Sequence, residues 1–404
     1  MKKCALAGAA SLCLLLLAAA PAAHGAGLPT TPAEAEAIEG KQRLPLTAFY
    51  DAPALDAAGK PGELLRREIF TGYDLPPGTQ AMRILYRSRD ADGQDVVSSG
   101  VVLTPAGTAP RGGWPVIVWA HGTSGVARQC APSAMKDLYY NAELTGMVQA
   151  GYAVVAVDYH GLGTAGPHQY MASRAQAEDV VDAVPAARKA VPALGEKWVV
   201  DGHSQGGQAA WAVAELEAQR QDPGYLGAVS VAGATHLAWA AAHQTGLDGA
   251  GFYLAWWTYA IKARYSAFDP AGILADGGAA HYEAATTAGC WYAGYALYSD
   301  TPARDMLKPR WQDNAYVKRF LADSLVGSKT PRGPMLAIAG EADASVPLDG
   351  IKDTVARACA HGATLSFKTY PGLDHDPAMS DSLPDQLAWI GDRFAGKPAP
   401  NSCR

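Results

Sequence analysis

The sequence predicts an α/β fold: a mostly parallel central sheet with helices on both faces and an inserted helical cap. Three observations carry that prediction. Short apolar, β-prone runs alternate with segments of helical spacing. The alternation lapses for about a hundred residues and then resumes. At one strand-to-helix junction stands Gly202-His203-Ser204-Gln205-Gly206, where small residues let a strand and a helix approach closely around a serine.

The 404-residue chain opens with Lys2 and Lys3, an apolar run from Ala5 to Ala20, and the small residues Ala23-His24-Gly25. Residues 1–25 therefore read as a secretory signal peptide, which places the mature protein in an extracellular or periplasmic compartment. The apolar run is short for a bilayer-spanning helix of about 20 residues. Losing Lys2 and Lys3 moves the net charge from −6 to about −8, with no basic cluster anywhere. That balance excludes nucleic acid and anionic membrane as natural partners. A hydrophobic content of 49% can fill one large core, so one α/β domain with an insertion is expected rather than two independent domains. The division is a first core part with an N-terminal arm at 26–232, a helical cap at 233–333, and a second core part at 334–404. Cys4 and Cys13 leave with the signal. Cys130, Cys290, Cys359 and Cys403 remain, an even number in an exported chain, which favours two disulfides over free thiols or a metal site. There is no C-x-x-C motif or His/Cys cluster of the kind that holds zinc.

From Ala26 to about Leu65 the Ala, Pro and Glu content reads as an extended arm wrapping the domain. Ala81 to Arg87 and Gln94 to Leu103 alternate apolar and polar residues around Asp90-Ala91-Asp92-Gly93, the pattern of an antiparallel hairpin. Pro115 to Ala120, Ala153 to Val157, Lys197 to Val200 and Ala228 to Val231 are continuous apolar runs, as strands buried on both faces require. Met135 to Gln149, Ala175 to Val191 and Gln208 to Arg220 carry helical character between and after them. Beyond Gly233 come many aromatics, among them Trp239, Phe252, Tyr253, Trp256, Trp257, Trp291, Tyr298 and Trp311, before Pro334 to Ala339 and Ala363 to Tyr370 restore the strand pattern. A stretch of that length packs on itself or covers a functional site. Most of its aromatics are expected in its own core.

The chemistry starts from Ser204. A serine hydroxyl is a weak nucleophile at neutral pH and needs an imidazole to accept its proton and a carboxylate to orient that imidazole. The sharp turn projects the hydroxyl above the sheet edge. Behind the strand Pro334 to Ala339 stands Asp343, the expected acid, with Glu341 as its competitor. Behind the last strand a glycine turn presents His375, the expected base; Asp374 and Asp376 flank it, as pKa modulators or solvated turn formers. His361 precedes that strand, and His236, His243 and His281 fall in the cap. The developing oxyanion needs two donors. The Gln205 N–H supplies one, and the Thr123 N–H in His121-Gly122-Thr123-Ser124-Gly125 the other, with Gly122 as the alternative.

Taken together, that loop, Cys130-Ala131-Pro132-Ser133, Asp158-Tyr159-His160-Gly161-Leu162-Gly163, Gly202 to Gly207, Asp343 and His375 resemble the secretory lipases, a branch of the α/β-hydrolases. The resemblance spans nearly the whole mature chain. It implies an α/β-hydrolase fold, a triad of Ser204, Asp343 and His375, and disulfides pairing Cys130 with Cys290 and Cys359 with Cys403. The expected activity is carboxylic ester hydrolysis, as a lipase or carboxylesterase, through an acyl-enzyme on Ser204 and with neither cofactor nor metal. The expected partner is a small-molecule or lipid ester, with contact at a lipid interface left open. An esterase of cell-wall polysaccharide esters is the alternative within the class. A hydrolase-fold binding protein without catalysis is the alternative outside it.

Overall fold

A computed structural model describes residues 27–53, 55, 59–243 and 251–403. The expected signal peptide lies outside the described residues. The chain begins with helix α1 (Pro32–Gln42), opened by a capping box in which Thr31 and Glu34 satisfy each other's backbone N–H groups. Strands β1 (Leu64–Ile69), β2 (Gln80–Arg89) and β3 (Asp95–Thr104) form an antiparallel run. Then come β4 (Trp114–Ala120), α2 (Asn141–Gln149), β5 (Ala153–Val157), α3 (Ser173–Ala190), β6 (Leu194–His203), α4 (Gln205–Arg220) and β7 (Tyr225–Val231). Six helices follow among the described residues: α5 (Leu237–His243), α6 (Phe252–Arg264), α7 (Asp276–Ala280), α8 (Tyr282–Thr287), α9 (Trp291–Tyr298) and α10 (Ala315–Asp323). The chain closes with β8 (Met335–Gly340), α11 (Leu348–Ala360), β9 (Leu365–Tyr370) and α12 (His375–Phe394).

The nine strands make one sheet in the order β1-β2-β3-β5-β4-β6-β7-β8-β9, parallel from β5 onward. Its two faces explain why the central strands are apolar throughout. Val116, Val118, Val155, Trp198 and Val200 face the side packed by α3 and α4, while Ile117, Trp119, Val154 and Val199 face the side packed by α2 and α12. The helices between β7 and β8 hold a third core of their own around Phe252, Trp256, Tyr298, Met306 and Phe320. Among the described residues no helix is long and apolar enough to cross a membrane.

Two sequence expectations need correction. The arm is not extended throughout: it holds α1 and ends in β1. Its α1 lies on α9 of the insert, where the Glu39 carboxylate accepts the backbone N–H groups of Cys290 and Ala293 at 3.3 and 2.9 Å. The expected helix from Met135 starts only at Asn141, because Leu138 and Tyr139 take left-handed φ values of 51° and 64° that no helix accommodates. Helices α11 and α12, for which no expectation was formed, follow the strands that carry Asp343 and His375. The structure pairs Cys130 with Cys290 and Cys359 with Cys403. The first bond joins the loop after β4 to the insert, and the second holds the C-terminal tail beside α11.

Asp201, on β6 three residues before Ser204, is fully buried without a well-formed hydrogen bond to either carboxylate oxygen. Burial pushes its carboxyl up to about 8 against a weaker opposing contact from the Gly202 backbone. Since the folded value lies above the ordinary 3.8, native stability is fully present below that pH and is lost as pH rises towards 8. Asp201→Asn, which mimics the neutral acid, is expected to remove this slope and to stabilise the protein at pH 7 by on the order of 3 kcal/mol. Urea unfolding at pH 5 and pH 7.5 checks it; equal slopes for the two proteins would contradict it.

Candidate active site

At the β6–α4 junction Ser204 takes φ 57° and ψ −115°, a strained conformation for a residue with a side chain. The surroundings enforce it. A Cβ on Gly202 would lie 2.2 Å from the Gly206 carbonyl oxygen, and one on Gly206 only 1.8 Å from that of Ala120. The Ser204 N–H donates to Val231 at 2.9 Å, and its carbonyl accepts the Ala234 N–H at 3.0 Å. The side chain is less open than a bare sheet edge suggests: Ser204 is 9% exposed. It lines an apolar cavity with Thr123, Leu237, Tyr253, Trp257 and Val346, built from the insert and from the loops after β4 and β8. Of the insert aromatics, Trp239, Tyr253 and Trp257 reach this cavity, whereas Phe252, Trp256 and Trp311 belong to the insert's own core.

Asp343 sits in the loop after β8, its side chain fully buried. Its Oδ1 accepts the N–H groups of Ser345 and Val346 at 2.9 and 2.7 Å, and its Oδ2 lies 2.8 Å from His375 Nδ1. This arrangement leaves His375 Nε2 free of the carboxylate. His375 is the first residue of α12 rather than part of a free turn, with Asp374 as the cap. The Asp374 Oδ1 accepts the N–H groups of His375 and Ala344 at 2.8 and 2.9 Å, tying the two loops together. Burial works against protonation of His375, but Asp343, with Asp376 and Asp374, outweighs it and raises its pKa above the ordinary value. The His375 ring lies 4.5 Å, centre to centre, from the ring of His203, next to Ser204 in the chain. Burial, followed by repulsion from His375, drives the His203 pKa well down, so His203 stays neutral.

Glu341 turns to Thr369, whose hydroxyl it accepts at 2.7 Å. His236 is committed to Asp353 at 2.9 Å, and His243 stacks on Trp239. Neither they nor His281 or His361 contact Asp343.

The loop after β4 is braced by groups that sequence reasoning missed. The Thr123 hydroxyl meets the Tyr170 hydroxyl at 2.9 Å, and the Thr123 carbonyl accepts the Tyr139 hydroxyl at 2.9 Å. The Gly122 backbone is engaged by Tyr140, whose hydroxyl also lies 3.1 Å from His203 Nδ1. Neither the Thr123 N–H nor the Gln205 N–H has an acceptor among the described residues. Behind Gln205, its side-chain amide donates to Gln176 Oε1 at 2.7 Å, and Gln176 donates in turn to Gln208 at 2.8 Å. No local pattern announces these contacts. The left-handed residues Leu138, Tyr139 and Met171 beside them become visible only in the fold.

A twisted, mostly parallel sheet with a serine elbow after one central strand, and an aspartate and a histidine after two later ones, defines an α/β-hydrolase. The secretory lipase family model matches residues 135–402, and the chain belongs to that family, whose members are secreted hydrolases of carboxylic esters. A secreted triacylglycerol lipase of Malassezia globosa is 24% identical over 402 residues, covering 88% of this chain and 81% of the relative. Among solved structures, lipase A of Candida antarctica superposes with a TM-score of 0.76 at 18% identity, over 94% of this chain and 89% of that one. The rice cell wall degrading esterase LipA of Xanthomonas oryzae superposes at 0.67 with 21% identity, over 83% and 98%.

Proposed function

We propose that Ser204 attacks the ester carbonyl, that His375 accepts its proton through Nε2, and that Asp343 holds the imidazole in the tautomer this requires. The observation carrying the proposal is the 2.8 Å contact between Asp343 and His375 Nδ1 beside the strained Ser204 elbow. The unpaired N–H groups of Thr123 and Gln205 receive the oxyanion. The protonated His375 then delivers its proton to the leaving alcohol, and a water activated by the same imidazole releases the acid. Residues 233–333 act as a cap on a core made of 26–232 and 334–404. Leu237, Trp257 and Val346 give the cavity beside Ser204 the apolar wall that an acyl chain needs. We therefore read the substrate as an ester with an aliphatic acyl group.

The base works only when unprotonated. The groups facing His375 are Asp343, Asp374, Asp376 and the neutral His203, and their net effect is to raise its pKa. In chelator-containing buffer, kcat/KM is expected to fall towards acid pH with an inflection above 6.5. Asp376→Asn removes a negative charge and lowers that inflection. A wild-type inflection below 6.5 would contradict this account of His375.

Rates over p-nitrophenyl esters from acetate to palmitate test the substrate. Trp257→Ala, which removes a wall of the cavity, is expected to raise the long-to-short rate ratio by about tenfold. An unchanged ratio, together with faster release of acetate from acetylated polysaccharide than from any of these esters, would favour the cell-wall reading instead.

A further inference from the structure

His203 has no part in the hydrolytic cycle proposed above, yet its environment is specific. Its ring is 1% exposed, and its Nδ1 faces the Tyr140 hydroxyl at 3.1 Å. Its buried Nε2 has no well-formed hydrogen bond, with the His375 backbone as its nearest polar contact. That nitrogen looks towards the Asp376 carboxylate, 3.9 Å away. One nitrogen of His203, one of His375 and one carboxylate oxygen of Asp376 lie within 4.8 Å of one another. In both histidines Nδ1 is engaged by an oxygen, from Tyr140 in one and Asp343 in the other. His375 is oriented as metal-binding imidazoles are, its outer nitrogen donating to an oxygen while the inner one keeps its lone pair, and His203 matches it in the tautomer that carries its proton on Nδ1. Asp376 is 68% exposed and opens the group to solvent. Two imidazoles and one carboxylate suit borderline ions such as zinc or copper and leave a fourth position for water, whereas calcium and magnesium require a shell of oxygens. Ligands at about 2.0–2.2 Å from zinc stand closer together than these three do. Closing the gap requires rotation of the exposed Asp376 and a small tilt of His375.

We propose that His203, His375 and Asp376 form an inhibitory site for a borderline divalent cation. The ion takes the His375 Nε2 lone pair that otherwise accepts the Ser204 proton, and so silences the enzyme reversibly. The inhibitory consequence rests on the reading of His375 as the base; the binding site does not. The sequence conceals the grouping, because His203 and His375 lie on separate strand-to-helix junctions.

Two measurements test it. Calorimetric titration of zinc into Ser204→Ala reads binding without turnover, and one ion per chain is expected. With the wild-type enzyme, micromolar zinc is expected to suppress p-nitrophenyl ester hydrolysis, EDTA to restore it, and calcium to have no effect. Asp376→Asn, a substitution at an exposed side chain, is expected to weaken zinc at least tenfold in both readouts, and His203→Asn to do the same. Absence of zinc binding, or binding that is equal with and without the Asp376 carboxylate, overturns the site. Binding that depends on Asp376 but leaves turnover intact overturns the inhibitory role, and it assigns the fault to the reading of His375 rather than to the ligands.

Discussion

Ser204→Ala is expected to lower kcat/KM for ester hydrolysis by about 10⁴-fold or more and to abolish labelling by a fluorophosphonate probe. The fold is expected to survive. The serine hydroxyl has no hydrogen bond among the described residues, and the structural bonds at this position run through its backbone to Val231 and Ala234. Alanine keeps the Cβ and adopts the same strained conformation, so thermal stability should move by less than about 1 kcal/mol. Such a loss of rate without loss of fold separates chemistry from architecture. Turnover within tenfold of wild type would mean that another residue is the nucleophile. A folded wild-type protein that the probe does not label would point to a binding module.

Gly206→Ala should produce the opposite profile, a structural failure that takes activity down with it. The added methyl would stand 1.8 Å from the Ala120 carbonyl oxygen and 2.8 Å from that of His121. Both obstacles are backbone, so no side chain can swing away. The strand and helix must separate, and overpacking of this kind costs about 3 kcal/mol or more. Because Gln205 begins α4, the same displacement moves its N–H away from the place proposed for the oxyanion. Differential scanning calorimetry should register a fall of at least about 5 °C, with kcat reduced in parallel. An unchanged melting temperature would show that the elbow is looser than its geometry implies.

The parallel strands were legible because burial on both faces demands uninterrupted β-branched residues. Val116 to Trp119 and Val154 to Val155 could fill no other role. The placement of Ser204, Asp343 and His375 at one sheet edge was legible because each follows such a strand. Where stability comes from distant packing the signal failed. Helix α1 packs on α9, and its Ala, Pro and Glu composition hid it although the Thr31–Glu34 capping box marks its start. Leu138 and Tyr139 look helical, yet the contact from Tyr139 to Thr123 holds them in a conformation that no propensity favours. The depth of Ser204 was also hidden, since the residues roofing it come from a part of the chain whose folding direction the sequence does not reveal.

Glu39 and the Cys130–Cys290 bond meet at one place, the start of α9. One contact comes from the N-terminal arm and the other from the loop after β4, so the insert is anchored by two segments that precede it in the chain. Swapping residues 233–333 between relatives as a cassette would therefore break both anchors. A transplanted cap would arrive with an unpaired Cys290 and an uncapped helix unless the recipient also carried matching partners near positions 39 and 130. The insert is held as one member of a three-part set scattered along the chain.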